Sequence, residues 1–182
     1  MPARNNALRY GFVAQGLHWI IAAMLVVQVA LGKIADELPT GLDKLALMAR
    51  HKSVGITILA LAVIRLAWRL IDRPPPPPPM PRWQHAASRL THGAFYVLLF
   101  AMPVSGWLMS SASNYPVSWF GLFQLPDFVR PDEGLEHRLE DVHETLAKVL
   151  VALAILHVVA ALKHQFIDRD GLLMRMLPWR SR

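Results

Sequence analysis

His143 and His157 stand fourteen residues apart on the last strongly apolar stretch of the chain. At about 100° per residue they return to one face of a helix, and at about 1.5 Å of rise per residue they lie about 21 Å apart along its axis. That interval does not suit a single compact metal site. It approaches the thickness of a bilayer's hydrocarbon core and would set one imidazole near each membrane surface. A stacked pair of haems, one per leaflet, needs axial histidines at two such depths on one inward-facing helix surface.

Composition supports a membrane setting for those ligands. The 182 residues are 54% hydrophobic and the mean hydropathy is +0.32, against about 45 to 50% apolar residues in ordinary soluble domains. Four segments are long and apolar enough to cross a bilayer, about 11 to 33, 53 to 71, 91 to 113 and 143 to 165. Each fits the roughly 17 to 25 residues of a spanning helix. Arg65 interrupts the second and Lys148 the fourth, but both lie near span ends, from which a long cationic side chain reaches the interface. The expected fold class is all-α: an integral membrane four-helix bundle formed by a single domain over residues 1–182.

Charge orients the bundle. With the amino terminus in the cytoplasm, the inner segments hold twelve basic residues and the outer segments seven, so the positive-inside rule puts both termini in the cytoplasm of a multi-pass inner-membrane protein. Acidic residues deepen the contrast, to +9 inside and −3 outside. The pI of 10.2 therefore reflects topology and anionic lipid head groups rather than nucleic acid, for which no groove-reading motif is present. Cysteine is absent, which excludes thiolate-held iron–sulfur clusters, covalent haem attachment through paired cysteines, and disulfides. Any haem is held non-covalently. Arg4 and Arg9 before an apolar run resemble a signal peptide, but the run is longer than a signal core and no small-residue cleavage site follows. It is read as a retained helix carrying His18.

Depth then pairs the histidines. His18 falls near the cytoplasmic end of the first span and His51 at the outer start of the second, while His143 is outer and His157 inner. Two pairs result, His18 with His157 and His51 with His143. Each suits bis-histidine ligation of one b-type haem, because two strong-field imidazoles leave no open position for oxygen and favour outer-sphere electron transfer. Gly16 and Gly55 flank His18 and His51 and could make room for a flat porphyrin or for helix packing. His92 and His164 belong near the cytoplasmic boundary beside the inner pair, where a titratable donor could serve a quinone. His85 and His137 sit in polar connections as solvated residues. Between the second and third spans, Pro74 to Pro79 form a short polyproline spacer. The long connection from Ser113 to Asp141 carries Trp119, Phe120, Phe123 and Phe128, as expected of an interfacial cap lying against the bundle. Pro103 and Gly106 are expected to kink the third span.

The chain resembles the prokaryotic cytochrome b561 family. Leu17-His18-Trp19, His51-Lys52-Ser53-Val54-Gly55, Val142-His143-Glu144-Thr145-Leu146-Ala147, Leu156-His157, His164 and Leu173-Met174-Arg175-Met176-Leu177-Pro178 carry the likeness, which covers nearly the whole sequence. It implies a four-helix membrane bundle, two non-covalent haem b groups and electron exchange with the quinone pool. It also implies His18 and His157 as ligands of the inner haem and His51 and His143 as ligands of the outer one.

The resemblance further implies superoxide as an electron donor on the outer side, with ubiquinone as acceptor. A positive outer surface would favour that anion, yet Asp127 to Glu144 contains seven acidic and two basic residues. A basic cluster of Lys44, Arg50 and Lys52 near His51 could still attract the anion locally. The expected function is a di-haem relay, a membrane oxidoreductase passing single electrons between an outer donor and quinone. The alternative is a haem b anchor subunit that wires a separate periplasmic redox enzyme to the quinone pool, docked on the acidic outer loop. A haem-free ion or proton transporter lacks a charged pathway through the bundle. The partners expected are membrane lipid, quinone, superoxide or a periplasmic redox protein, and a second copy of the chain in a homodimer.

Overall fold

Gly11 opens the first helix at a place where no side chain fits, since a Cβ there would stand 2.3 Å from the Ala3 carbonyl oxygen. The apolar run behind it forms α1, Phe12–Glu37. Three more long helices follow in the computed structural model, which describes residues 2–177: α2, Leu42–Ile71, α3, Arg82–Ala112, and α4, Glu133–Lys163. All four are long and apolar enough to cross a membrane. Between α3 and α4 a two-stranded antiparallel hairpin pairs Ser118 with Gln124 and Trp119 with Phe123. These are β1, Ser118–Trp119, and β2, Phe123–Gln124. The fold is all-α apart from this hairpin.

Each helix extends past its expected span. The starts of α2 and α4 move furthest, α2 from near 53 to Leu42 and α4 from near 143 to Glu133. Asp132 caps α4, its Oδ1 accepting from the Leu135 N–H at 2.7 Å, and Glu133 and Glu136 in the first turn complement the exposed N–H groups and the helix dipole. An acidic stretch with no apolar period is thus helical outside the span. His137 consequently lies on α4 rather than in a connection, exposed beside Glu133 and Glu140. His85 lies in the first turn of α3, half-buried. The third helix continues through Pro103 without interruption.

The outward faces are apolar. Ile155, Leu156, Val158 and Val159 on α4 are each more than half exposed, an arrangement that water would oppose and hydrocarbon favours. Inside, Ile21, Ile58, Ala62 and Leu99 form the buried cluster, with Met24, Leu25, Val54, Leu61 and Phe100 against it. The backbones of α1 and α2, α2 and α3, and α3 and α4 approach closely, whereas α4 makes no comparable approach to α1 or α2 among the described residues. The face of α4 that turns towards α1 and α2 therefore meets them through side chains across a wider gap.

Polar links close the two ends. The hairpin is clipped to α2 by Ser53, whose Oγ accepts from the Phe120 N–H at 3.0 Å and lies 3.1 Å from the Ser118 carbonyl. The Trp119 indole donates to Thr57 Oγ1 at 3.0 Å, so the aromatic connection does cap the bundle. At the other end α4 passes into a single π turn, His164–Asp168, and Arg169 takes φ 54° in the left-handed region. The chain then returns across α1: Gln15 Nε2 and the Trp19 indole donate to the carbonyls of Arg175 and Met176, and the Arg175 guanidinium reaches the Pro76 carbonyl at 2.8 Å. The start of α1, the segment around Arg175 and the proline spacer are tied together at this end.

Candidate functional site

On α4 the heptad interval places His143, Leu150 and His157 along one face, and Leu150 is the buried residue between the two histidines. Each histidine meets an imidazole from another helix. His157 faces His18 of α1 with ring centroids 6.3 Å apart and planes inclined at 75°. His143 faces His51 of α2 at the same 6.3 Å and 75°. Both pairs expected from depth are thus brought together, one near the hairpin and one near the termini, and all four rings are half-buried.

The separation fits a metal between the rings. Two metal–imidazole bonds of about 2 Å, plus about 1 Å from each bonding nitrogen to its ring centre, give about 6 Å. The pairs are also bridged across the wider gap between α4 and the α1–α2 pair, where a planar group has room. Beyond the adjoining residues and backbone of its own helix, nothing lies within 4 Å of a Cβ built at Gly16, two residues from His18. Gly55 behaves differently, since a Cβ there would meet Gln28 Nε2 at 3.1 Å, so this glycine serves side-chain packing between α1 and α2. The residues present fit a bis-histidine haem at each end.

The hairpin-end pair is held by features that the sequence reading missed. A Cβ at Gly32 of α1 would stand 3.1 Å from His51 Cε1, and one at Gly106 of α3 would stand 3.0 Å from His143 Cε1. Each outer imidazole edge therefore seats against a glycine of the neighbouring helix. Ser105 Oγ lies 3.0 Å from His143 Nδ1. Gln28 Nε2 lies 3.2 Å from His51 Nε2 and donates to the His51 carbonyl at 3.0 Å. A single sequence carries no signal for such contacts, which join residues of different helices.

At the terminal end His157 has further neighbours. The His92 ring of α3 lies 5.9 Å from it and the Phe95 ring 5.3 Å. His164, in the π turn, has Nδ1 2.6 Å from Asp170 Oδ2 and 3.3 Å from Asp168 Oδ2. Lys163 pairs with the same Asp168 at 2.5 Å. His164, Asp168 and Asp170 could together ligate a cation, but the Lys163 ammonium already neutralises Asp168, and the cluster is better described as an anchored histidine. Its Nδ1 bond to Asp170 leaves Nε2 for another partner.

The model of the prokaryotic cytochrome b561 family matches residues 9–179. A relative named cytochrome b561 homolog 2, from Escherichia coli strain K12, is 37% identical over 180 residues, covering 97% of this chain and 95% of its own. Cytochrome b561 homolog 1 of the same organism is 32% identical over 171 residues, covering 91% and 94%. A Yersinia pestis protein named "Probable superoxide oxidase CybB" is 27% identical over 171 residues, covering 93% and 96%. The chain belongs to the prokaryotic cytochrome b561 family, multi-pass bacterial membrane haem proteins of electron transfer.

Proposed function

We propose that residues 1–182 form a single membrane domain that relays electrons through two haem b groups from a donor at the hairpin end to quinone at the terminal end. His51 and His143 would hold one haem and His18 and His157 the other. The observation that carries this reading is the repetition of one geometry, 6.3 Å and 75°, at both ends of α4. Bound there, haem would supply one-electron chemistry. The protein's own part is to fix the two sites about 21 Å apart along α4, to keep water from them with apolar helix faces, and to handle protons where quinone is reduced.

The excess of basic residues at the terminal end supports an orientation with both termini in the cytoplasm of the inner membrane. Superoxide is the donor favoured, from the name of the Yersinia pestis relative and from Lys44, Arg50 and Lys52 beside His51. Each superoxide oxidised to dioxygen gives one electron, and quinone takes two electrons and two protons to become quinol. His164, whose Nδ1 is held by Asp170, would pass a proton from Nε2 to a quinone oxygen, and exposed His92 near His157 is the second candidate. The exposed carboxylates of Glu133, Glu140 and Glu144 support a second reading, docking of a cationic redox protein for which this chain is the membrane anchor. A homodimer is compatible with both readings.

Haem quantitation and redox-difference spectra of single variants test the pairing. His18→Ala and His157→Ala are expected to remove or alter one haem, and His51→Ala and His143→Ala the other; mixed pairing overturns the assignment. Stopped-flow mixing of oxidised protein with superoxide should reduce haem faster than spontaneous dismutation consumes the radical, and a slower reduction would favour the anchor reading. The absence of native cysteine makes orientation directly testable. In whole cells a maleimide should label Asp127→Cys from the periplasm and Arg169→Cys only after the membrane is opened.

A further inference from the structure

We infer that Ser105 is a positioning residue that fixes the ring of His143 and sets the potential of the hairpin-end haem below the value an unassisted imidazole pair would give. The inference rests on the reading that His51 and His143 hold that haem. Ser105 is 6% exposed. Its Oγ stands 2.9 Å from the Met102 carbonyl and 3.0 Å from His143 Nδ1. A hydroxyl has one proton and a carbonyl can only accept, so two assignments are open. If the proton lies towards His143, two oxygen lone pairs face each other at 2.9 Å with nothing between them. If it lies towards Met102, the hydroxyl oxygen accepts from His143 Nδ1–H and both contacts become hydrogen bonds. The second assignment satisfies every group, and the first does not.

Two consequences follow for the imidazole. A proton on Nδ1 leaves Nε2 with its lone pair, the form that ligates a metal. Donation from Nδ1–H also raises the basicity of the ring, and the hydroxyl is itself polarised by its bond to Met102. A more basic axial ligand favours the oxidised iron and lowers the potential.

Gly106, the next residue, lets the ring sit close enough for this bond. The matching place beside His51 shows that the serine is specific to one ligand. Gly32 receives the His51 ring as Gly106 receives that of His143, but the residue before Gly32 is Leu31, which has no hydroxyl. His51 Nδ1 is buried with no hydrogen-bond partner among the described residues. Of the outer pair, only His143 gains the serine's support.

The test is a spectroscopic redox titration of the haem-loaded protein. Ser105→Ala should change the reduced-to-oxidised ratio of one haem about tenfold at fixed potential, a rise of about 59 mV for a one-electron couple. The affected haem should be the one lost in His143→Ala, and Ser105→Thr, which restores the hydroxyl, should return the ratio to the native value. Unchanged potentials in Ser105→Ala, an equal shift in both haems, or no recovery with threonine would each overturn the role of Ser105. Retention of both haems in His143→Ala would overturn the ligand assignment instead. Should Ser105→Ala not fold, the native reduced, diamagnetic holoprotein labelled with 15N-histidine decides the matter by NMR. A protonated His143 Nδ1 that exchanges slowly with solvent is expected, and an unprotonated one refutes the proposal.

Discussion

Replacing a helical glycine by alanine ordinarily stabilises the helix by about 1 kcal/mol. At Gly106 the gain is opposed, because the new methyl would stand 3.0 Å from His143 Cε1 and overpacking costs about 1 to 3 kcal/mol. The net effect of Gly106→Ala on folding is therefore small, but its effect on the haem is not. Displacing the ring by a few tenths of an ångström is expected to weaken retention of the hairpin-end haem by about tenfold, the scale of other outer-shell changes at metal sites. Gly16→Ala makes the complementary case. Its Cβ would meet nothing within 4 Å beyond its own helix turn, so the protein alone gains from the change. Loss of haem at the terminal end would then report on the group that fills the space. Pyridine haemochrome assays with matched melting curves separate the two effects. An unchanged haem content in Gly16→Ala would show that no porphyrin edge occupies that gap.

At the scale of elements, the N-terminus of α4 shows what apolar patterning can and cannot reveal. The spans were legible because hydrocarbon imposes an apolar surface on every helix that crosses it. The ten residues from Glu133 to Val142 are helical outside that constraint and carry no such surface. What marks them is capping: Asp132 followed by Glu133 and Glu136, a local signal independent of hydropathy. Asp132→Ala should cost about 1 kcal/mol, which for a chain of this size lowers the melting temperature by about 2 to 4 °C. A thermal-shift assay in detergent measures it, and the haem spectrum should not change, because His143 lies three turns further on. The hairpin was legible only as an aromatic cap, since its docking depends on Ser53 meeting Ser118 and Phe120 some 65 residues later. Depth likewise predicted which histidines would share an end, because helix rise converts sequence interval into height. Whether Gly32 or Gly106 would face an imidazole depends on the rotation of neighbouring helices, which no interval in the chain encodes.

For the whole molecule, the charge at the hairpin end bears on which donor it accepts. Between Asp127 and Glu144 the net charge is −5, and the Glu133, Glu140 and Glu144 side chains are 89%, 67% and 63% exposed. Opposed to this acidic rim are cations nearer His51. Lys52 Nζ donates to the Tyr115 carbonyl at 2.9 Å and Lys44 Nζ to the Leu38 carbonyl at 3.2 Å, which holds both charges at that end. An approaching anion thus meets repulsion from the rim and attraction from the cations close to the site. The two act over different ranges as salt is added. At 0.01 M the screening length is about 30 Å and the whole rim is felt, whereas at 0.15 M it is about 8 Å and only nearby charges count. The rate of haem reduction by superoxide should therefore rise between these concentrations, by up to about tenfold, and Lys52→Gln should lower it most at the higher salt. A cationic donor protein would show the opposite slope, fastest at low salt and slowed as the acidic rim is screened. The sign of the salt dependence, measured by stopped flow with each donor, distinguishes a surface that tolerates a small anion from one that recruits a basic partner. A rate for superoxide that falls steadily with salt would mean that Lys44, Arg50 and Lys52 outweigh the rim at every distance.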